Sequence, residues 1–141
     1  PAARLELEVT ESIFLRDGGL AIKILERIRG LGIQLSLDDF GTGYSSLGYL
    51  SNVRFDTIKV DRSFVRGAAQ DKPESLAIIR AVVTMADSLD LSTTAEGVET
   101  EAELKLIQQL GCKKIQGYYF GRPMAYADSL DLFRQNHRSV A

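Results

Sequence analysis

Residues 35–47 read Leu35-Ser-Leu-Asp-Asp-Phe-Gly-Thr-Gly-Tyr-Ser-Ser-Leu47. The segment begins with alternating apolar and polar residues, the period of a β-strand with one apolar face. It runs into Asp38 and Asp39, and we predict that a turn at Phe40-Gly41 aims both carboxylates at one place. Two carboxylates this close repel each other unless a proton or a cation lies between them, and hard divalent cations favour oxygen-only clusters. An Asp-Asp turn with solvated side chains is the alternative, and this segment alone does not exclude it.

Four other segments repeat the alternating pattern, and apolar residues at helical spacing lie between them. The predicted strands are residues 5–9, 33–38, 56–61, 92–96 and 114–118. Helices are predicted over residues 19–31, 44–50, 71–86 and 101–110, with a last one through Leu130 and Phe133. Strands that alternate with helices favour parallel βαβ units, with helices covering the apolar face of the sheet.

The other face of each predicted strand is polar and ends in a charged or amide side chain, of the kinds found in active sites. These residues are Glu8, Asp38, Lys59 with Asp61, Glu96 and Gln116. An open doubly wound sheet has near-continuous apolar strands, whereas a (β/α) barrel collects polar groups at its C-terminal mouth. We therefore predict an α/β fold of the TIM-like barrel type. A full barrel takes about 250 residues, so we interpret residues 1–141 as a single partial domain, the C-terminal five βα units of an incomplete barrel.

Composition and charge exclude some classes of function. The chain has 141 residues, is 45% hydrophobic and 26% charged, and carries a net charge of −2. This composition is typical of a globular protein, and it lacks the excess of basic residues expected of a protein that binds a nucleic acid polymer. The one cysteine, Cys112, is typical of a reducing compartment, and we predict that it is a small buried hydrophobe. No apolar run is long enough to span a membrane and no secretion signal begins the chain. We expect a cytoplasmic location, or the cytoplasmic part of a membrane-anchored protein, with no membrane contact by this segment.

Five motifs in series resemble those of the EAL-domain cyclic di-GMP phosphodiesterases. They are Glu8-Val-Thr-Glu-Ser12, Asp38-Asp-Phe-Gly-Thr-Gly-Tyr-Ser-Ser-Leu47, Ile58-Lys-Val-Asp61, Ala95-Glu-Gly-Val-Glu-Thr100 and Gln116-Gly-Tyr-Tyr-Phe-Gly-Arg-Pro123. The resemblance begins partway through the family's domain. The Glu-Ala-Leu motif itself, the nearby Leu-x-Arg and a metal-binding Asn on an early strand have no counterpart among these residues.

The resemblance implies hydrolysis of cyclic di-GMP, a bacterial second messenger, to linear pGpG at a two-metal site that holds Mg²⁺ or Mn²⁺. Glu8, Asp38 and Asp39 match the family's metal ligands, with Asp38 as the bridge. Lys59 matches a lysine that contacts the nucleophilic water. Glu96 matches a carboxylate assigned either as a metal ligand or as the general base, and both roles stay open.

The resemblance also implies supporting roles. Asp61, Glu99 and Gln116 match supporting or substrate-binding positions. Glu11 resembles the residue that anchors the loop formed by Phe40, Gly41, Thr42 and Gly43, which is linked in the family to metal binding and dimerisation. The implied partners are cyclic di-GMP, a second copy in a homodimer, and upstream sensory or GGDEF-type domains.

Several of these residues have a purely structural alternative. Glu11 could be an acid near a helix N-terminus, and Lys59 and Asp61 could form a structural ion pair. Gln116 followed by a glycine could mark only a close packing point. We expect the three aromatic residues that follow to be core residues rather than a platform for guanine: Tyr118, Tyr119 and Phe120.

Three classes of function remain open at this stage. The first is a phosphodiesterase domain, truncated and inactive alone; the second is an inactive relative that binds cyclic di-GMP as a receptor or regulatory module; the third is a fragment that acts only in assembly. The retained metal-ligand residue types favour the first class over the second, because a receptor does not need them.

Overall fold

The computed structural model describes residues 1–41, 48 and 52–138 of the chain. Its centre is a five-stranded, all-parallel sheet whose strands lie side by side in chain order. The strands are β1 (Glu6–Thr10), β2 (Gln34–Phe40), β3 (Thr57–Val60), β4 (Ser92–Ala95) and β5 (Lys114–Ile115). The sheet is open, with β1 and β5 at its edges. The predicted fold class, a TIM-like set of five βα units, is confirmed.

The described helices of eight or more residues are α1 (Ile13–Gly30), α2 (Arg62–Ala69), α3 (Pro73–Ser88), α4 (Glu101–Gln109) and α5 (Tyr126–Arg138), and a 3₁₀ turn covers Ala2–Arg4. The first helix begins earlier than predicted and is kinked at Asp17, whose φ is −151°. The Asp17 carboxylate accepts a hydrogen bond from the Leu20 N–H at 3.0 Å and so caps the part beyond the kink. The helix predicted over residues 44–50 lies outside the described residues, apart from Gly48. None of the described helices combines the length and apolar character needed to cross a bilayer.

Helix α2 was not predicted from the sequence because its eight residues span only about two turns, too few for a helical repeat to be recognised. Of its eight residues, Val65, Gly67 and Ala68 are buried. Gly67 lowers helix propensity, but a side chain there would collide with Ser75 of α3. The tertiary contact between the two helices therefore selects a residue that a propensity argument rejects.

The strands place one apolar face under the helices. In the parallel register Leu37 lies beside Ile58, and Ile58 lies beside Thr93. Residues in register point to the same side of a sheet, so these side chains form one continuous surface. The core on this face includes Leu35, Leu37, Ile58, Val60, Ile79, Ala95 and Ile107, all buried. Full burial of each large aliphatic side chain contributes roughly 1.5–3 kcal/mol.

The segment after β5 departs from expectation. The strand ends at Ile115 rather than near residue 118. Tyr118, Tyr119 and Phe120 are 52%, 42% and 58% exposed, so the prediction that they belong to the core is wrong for this chain. Their position at an edge of an open sheet explains the difference, because β5 has a neighbouring strand on one side. Cys112 is buried, as predicted.

Candidate active site

The strand register brings the predicted site residues to one side of the sheet. Glu8 of β1 lies in register with Ser36 of β2, and Lys59 of β3 lies in register with Thr94 of β4. All the strands run in the same direction, so their carboxyl ends form one rim. We call this the C-terminal rim; it carries Glu8, Asp38, Asp39, Lys59 and Glu96.

Lys59 is the centre of the rim. Its side chain is 6% exposed, and its Nζ lies 2.8 Å from Glu8 Oε1, 3.1 Å from Asp38 Oδ1 and 2.6 Å from Glu96 Oε1. Burial alone would lower the pKa of this amine, but hydrogen bonds to the three carboxylates outweigh burial and raise the pKa above its usual value. Lys59 is therefore a fixed cation across the physiological pH range.

Asp39 reaches the site through an unusual backbone conformation. Its φ is +54°, in the left-handed region that non-glycine residues rarely adopt. The register between β2 and β3 shifts between Leu37 and Phe40, as in a β-bulge. The strand ends at Phe40 and turns at Gly41, as predicted, but the sequence pattern did not predict the left-handed residue inside the strand, Asp39. A bulge is a common way to re-aim a side chain beside a functional site.

Asp39 lies among other carboxylates. Burial and repulsion by Asp38 and Asp61 raise the pKa of its carboxyl, although Lys59 acts in the opposite direction. One oxygen each from Asp38, Asp39 and Glu96 lie within 4.8 Å of one another. Such a set of carboxylate oxygens fits Mg²⁺ or Mn²⁺, which prefer oxygen ligands. The fourth predicted ligand, Glu8, lies against Lys59, beside this group.

Asp61 has a structural task at the same rim. Its Oδ1 accepts the Ser63 N–H at 2.9 Å and caps helix α2. Burial would raise the pKa of Asp61, but the hydrogen bonds from Ser63 and from the Arg62 backbone outweigh burial and lower it. Lys59 pairs with three other acids, so the alternative of a simple Lys59–Asp61 ion pair is not what the structure shows.

A cavity of about 220 Å³ adjoins the rim. Its lining residues come from the turn after β4, the start of α2 and the end of β5: Arg62, Glu96, Gly97, Glu99, Gln116, Gly117 and Tyr118. Glu99 pairs with Arg66 of α2 at 2.9 Å. Gly117 is a close packing point, as the structural alternative proposed, since a side chain there would collide with the Val98 backbone. Gln116 nevertheless faces the cavity beside Glu96.

A second cavity, of about 240 Å³, lies on the inward face of the sheet below the rim. Glu6, Glu8, Lys59 and Lys114 are among the residues that line it. The Ser36 hydroxyl, also in this lining, is buried and has no hydrogen-bond partner within the part of the chain that the structure describes. The inward face of the strands is thus polar, as the alternation predicts.

The loop residues are described only in part. Phe40 is buried, and Gly41 has φ +88°, which favours glycine. Thr42 and Gly43 lie outside the described residues. Glu11 is half-buried, directly before the N-cap residue of α1. Its predicted contact with the loop stays a prediction.

Sequence reasoning missed two charged residues near the site. Arg66 holds the Glu99 side chain, and Glu103 accepts hydrogen bonds from the turn that carries Glu99. Glu103 had a detectable signal, because Thr100-x-x-Glu103 is the pattern of a capping box. Arg66 had none, since the helix that carries it was not predicted.

The model of the EAL domain family matches residues 1–123. The chain belongs to the EAL domain family. It is 45% identical over 122 residues to the bifunctional diguanylate cyclase/cyclic di-GMP phosphodiesterase MucR of Pseudomonas aeruginosa, covering 86% of the chain and 18% of MucR. It is 44% identical over 137 residues to the cyclic di-GMP phosphodiesterase NbdA of the same organism, covering 97% of the chain and 17% of NbdA.

Solved EAL structures share the fold. The MucR phosphodiesterase in complex with c-di-GMP superposes with a TM-score of 0.83 at 43% identity, over 90% of this chain and 51% of that one. The manganese/cyclic di-GMP complex of Klebsiella pneumoniae BlrP1 gives a TM-score of 0.78 at 35% identity, over 86% and 31%. The chain thus spans less than a fifth of the two curated relatives and about half of the solved MucR chain.

Proposed function

We propose that residues 1–141 are a partial EAL domain that carries the metal-binding and catalytic part of a cyclic di-GMP phosphodiesterase. The reaction is hydrolysis of one phosphodiester bond to give linear pGpG. The observation that carries the proposal is the group of acids gathered around the buried Lys59 at the C-terminal rim. Similarity to MucR and NbdA, which are named for this activity, supports the choice of substrate.

The donor set suits a pair of divalent ions. Glu8, Asp38, Asp39 and Glu96 would hold them. Two Mg²⁺ or Mn²⁺ ions would supply Lewis-acid stabilisation of the attacking and leaving oxygens and a water of lowered pKa. The manganese in the BlrP1 complex supports this assignment.

Lys59 supplies a fixed positive charge and hydrogen-bond donors. Because three carboxylates hold its Nζ, the ammonium group is pre-oriented before substrate arrives. A donor fixed in this way can orient the attacking water and stabilise negative charge that develops on the phosphoryl oxygens. Glu96, 2.6 Å from that ammonium, either ligates metal or accepts the proton of the water at its carboxylate.

The adjoining cavity would accept part of the nucleotide. Glu99 and Gln116 place a carboxylate and an amide in its wall, and both can hydrogen-bond to a purine edge. Asp61 supports this region by capping α2, which carries Arg62 and Arg66. Glu11 would steady the loop after Phe40.

Activity would require the remainder of the barrel. The Glu-Ala-Leu segment and the other early motifs would add metal ligands and a substrate-binding arginine, so we propose that the 141-residue chain is inactive on its own. A homodimer, upstream sensory or GGDEF-type domains and a cytoplasmic location belong to the same proposal.

The test uses the protein extended upstream through the rest of the barrel. We expect it to convert cyclic di-GMP to pGpG in the presence of Mg²⁺ or Mn²⁺, as followed by chromatography. Asp38→Asn should abolish turnover, whereas Asp56→Asn, at the opposite end of the sheet, should not. Binding of cyclic di-GMP without formation of pGpG would contradict the proposal and favour the receptor class.

A further inference from the structure

The turn between β4 and α4, residues 96–100, carries Glu96 and Glu99 and is held against the segment that follows β5. The Val98 N–H donates to the Gln116 carbonyl at 3.2 Å, and the Val98 carbonyl accepts the Tyr119 N–H at 3.0 Å. These bonds fix one side of the turn.

Glu103 holds the other side. It is 9% exposed, and its Oε2 accepts the Glu99 N–H at 2.7 Å and the Thr100 N–H at 2.9 Å. In return the Glu103 N–H donates to Thr100 Oγ1 at 3.2 Å. A capping box needs only the bond to the N-cap residue, here Thr100. The bond to Glu99 reaches one residue beyond the helix, into the turn itself.

We propose that Glu103 is a positioning residue that fixes the 96–100 turn, so that Glu96 keeps its place beside Lys59 and the two aspartates. The inference rests on the proposed function of the rim. Glu103 does not touch the predicted metal ligands; it acts through the backbone of the turn that carries one of them.

Loss of this carboxylate would leave two backbone N–H groups without their acceptor. Glu99 and Thr100 are exposed, so water would replace the carboxylate as acceptor and the turn would no longer be tied to Glu103 of α4. Glu96 lies three residues before Glu99, and its own N–H donates to the Val60 carbonyl at 3.1 Å. A released turn would therefore change the orientation of the Glu96 side chain rather than this strand contact. Misplacement of a reacting group by about 1 Å can cost on the order of 10²-fold in rate.

Three variants separate positioning from simple helix capping, each made in the protein extended through the rest of the barrel. Glu103→Leu removes the acceptor. Glu103→Gln keeps a carbonyl oxygen that can accept both N–H groups. Thr100→Ala removes the other half of the capping box but leaves the bond between Glu103 and the Glu99 N–H. Thr100→Ala is therefore the matched control for lost helix stability.

We expect Glu103→Leu to lower kcat by about 10- to 100-fold and to raise the Mn²⁺ concentration for half-maximal activity by about tenfold, the range seen when a supporting contact of a metal ligand is lost. Glu103→Gln should keep kcat and the Mn²⁺ concentration for half-maximal activity at the values of the parent protein. Thr100→Ala should lower the melting temperature and leave both values at those of the parent. Of the three variants, only Glu103→Leu should exchange the Glu99 amide hydrogen faster than the parent.

The inference is overturned if Glu103→Leu retains the kcat and Mn²⁺ dependence of the parent, or if Glu103→Gln or Thr100→Ala loses as much as Glu103→Leu. Should the parent form no pGpG, the proposed function fails, and the inference is then decided by hydrogen exchange and by Mn²⁺ binding in the same variants. The positioning role of Glu103 would then be overturned if the Glu99 amide exchanged its hydrogen at the same rate in Glu103→Leu as in the parent.

Discussion

Charged side chains are arranged differently at the two ends of the parallel sheet. At the C-terminal rim one buried lysine, Lys59, meets three carboxylates within 3.1 Å. At the N-terminal rim, where the strands begin, the pairs are balanced: Arg29 meets Asp56 at 3.1 Å and Lys113 meets Asp87 at 2.9 Å. An excess of acid is costly unless a cation offsets it, whereas a balanced pair serves only the fold.

The two rims also differ in how their charged side chains contact the backbone. At the N-terminal rim Asp56 also accepts the Leu35 N–H at 2.9 Å, and Arg29 donates to the Arg54 carbonyl at 2.6 Å. These charges tie strands and loops together. At the C-terminal rim Glu8 and Glu96 contact the Lys59 ammonium instead. The difference agrees with the proposed metal site at the C-terminal rim.

The largest expected effect tests whether the C-terminal rim suffices by itself. We predict no measurable formation of pGpG by the 141-residue chain in Mg²⁺ or Mn²⁺, because the family resemblance implies further metal ligands and a substrate-binding arginine in the rest of the barrel. The protein extended upstream should be active in the same chromatographic assay. Robust turnover by the short chain would remove the argument that the site is incomplete.

The next effect concerns the centre of the C-terminal rim. In the extended protein Lys59→Ala should lower kcat by roughly 10²–10³-fold, the scale for losing one preorganised transition-state contact. Substrate affinity should change much less, because Lys59 is directed at its three acids. Lys113→Ala is the control at the other rim and should leave kcat unchanged. A fully active Lys59→Ala protein would refute the role given to this lysine.

The metal assignment predicts an intermediate effect. The double variant Asp38→Asn/Asp39→Asn should weaken Mn²⁺ binding by at least about tenfold in a calorimetric titration, since each amide replaces a charged oxygen ligand. Asp56→Asn is the matched substitution at the N-terminal rim and should bind Mn²⁺ as the parent does. Equal affinity in all three proteins would exclude Asp38 and Asp39 from the metal site.

The smallest effect is on stability and separates Asp61 from the other acids of its rim. Asp61→Ala should lower the free energy of unfolding by about 1 kcal/mol at pH 7, the usual cost of losing an N-cap. The folded-state pKa of Asp61 lies below its usual value, so its contribution is present above about pH 3.8 and is lost as the pH falls through the folded-state pKa. Denaturant titrations at pH 7 and pH 3 should show the difference between parent and variant shrink. A constant difference would mean that packing, and not the charge, gives the effect.

The fold was largely predictable because its signal is local. Alternation in the strands and helical spacing between them are set by residues close in sequence, and all five predicted strands are present. Boundaries were less accurate where tertiary contacts decide them. Helix α2 packs on α3 around Gly67, and its eight residues are too few for its apolar face to be recognised as a helical repeat in the sequence.

The site was predictable as a set of residue types and not as a geometry. Acids at successive strand ends identified Glu8, Asp38 and Glu96 as neighbours, because parallel strands bring their carboxyl ends to one rim. Nothing in the sequence indicated that Asp39 would turn through a left-handed conformation, or that Asp61 would cap a helix.

By itself the sequence determined the parallel strand-and-helix order, the apolar face of the sheet and the identity of the charged residues at its rim. These depend on alternation and chain order, which are properties of neighbouring residues. Only the tertiary structure decided that Lys59 is shared by three carboxylates, that Asp39 reaches the site through a left-handed backbone conformation, and that Glu103 reaches back to the turn beside them. The physical reason is that each of these contacts joins elements whose separation is fixed by sheet register and helix packing, and no local pattern encodes that distance.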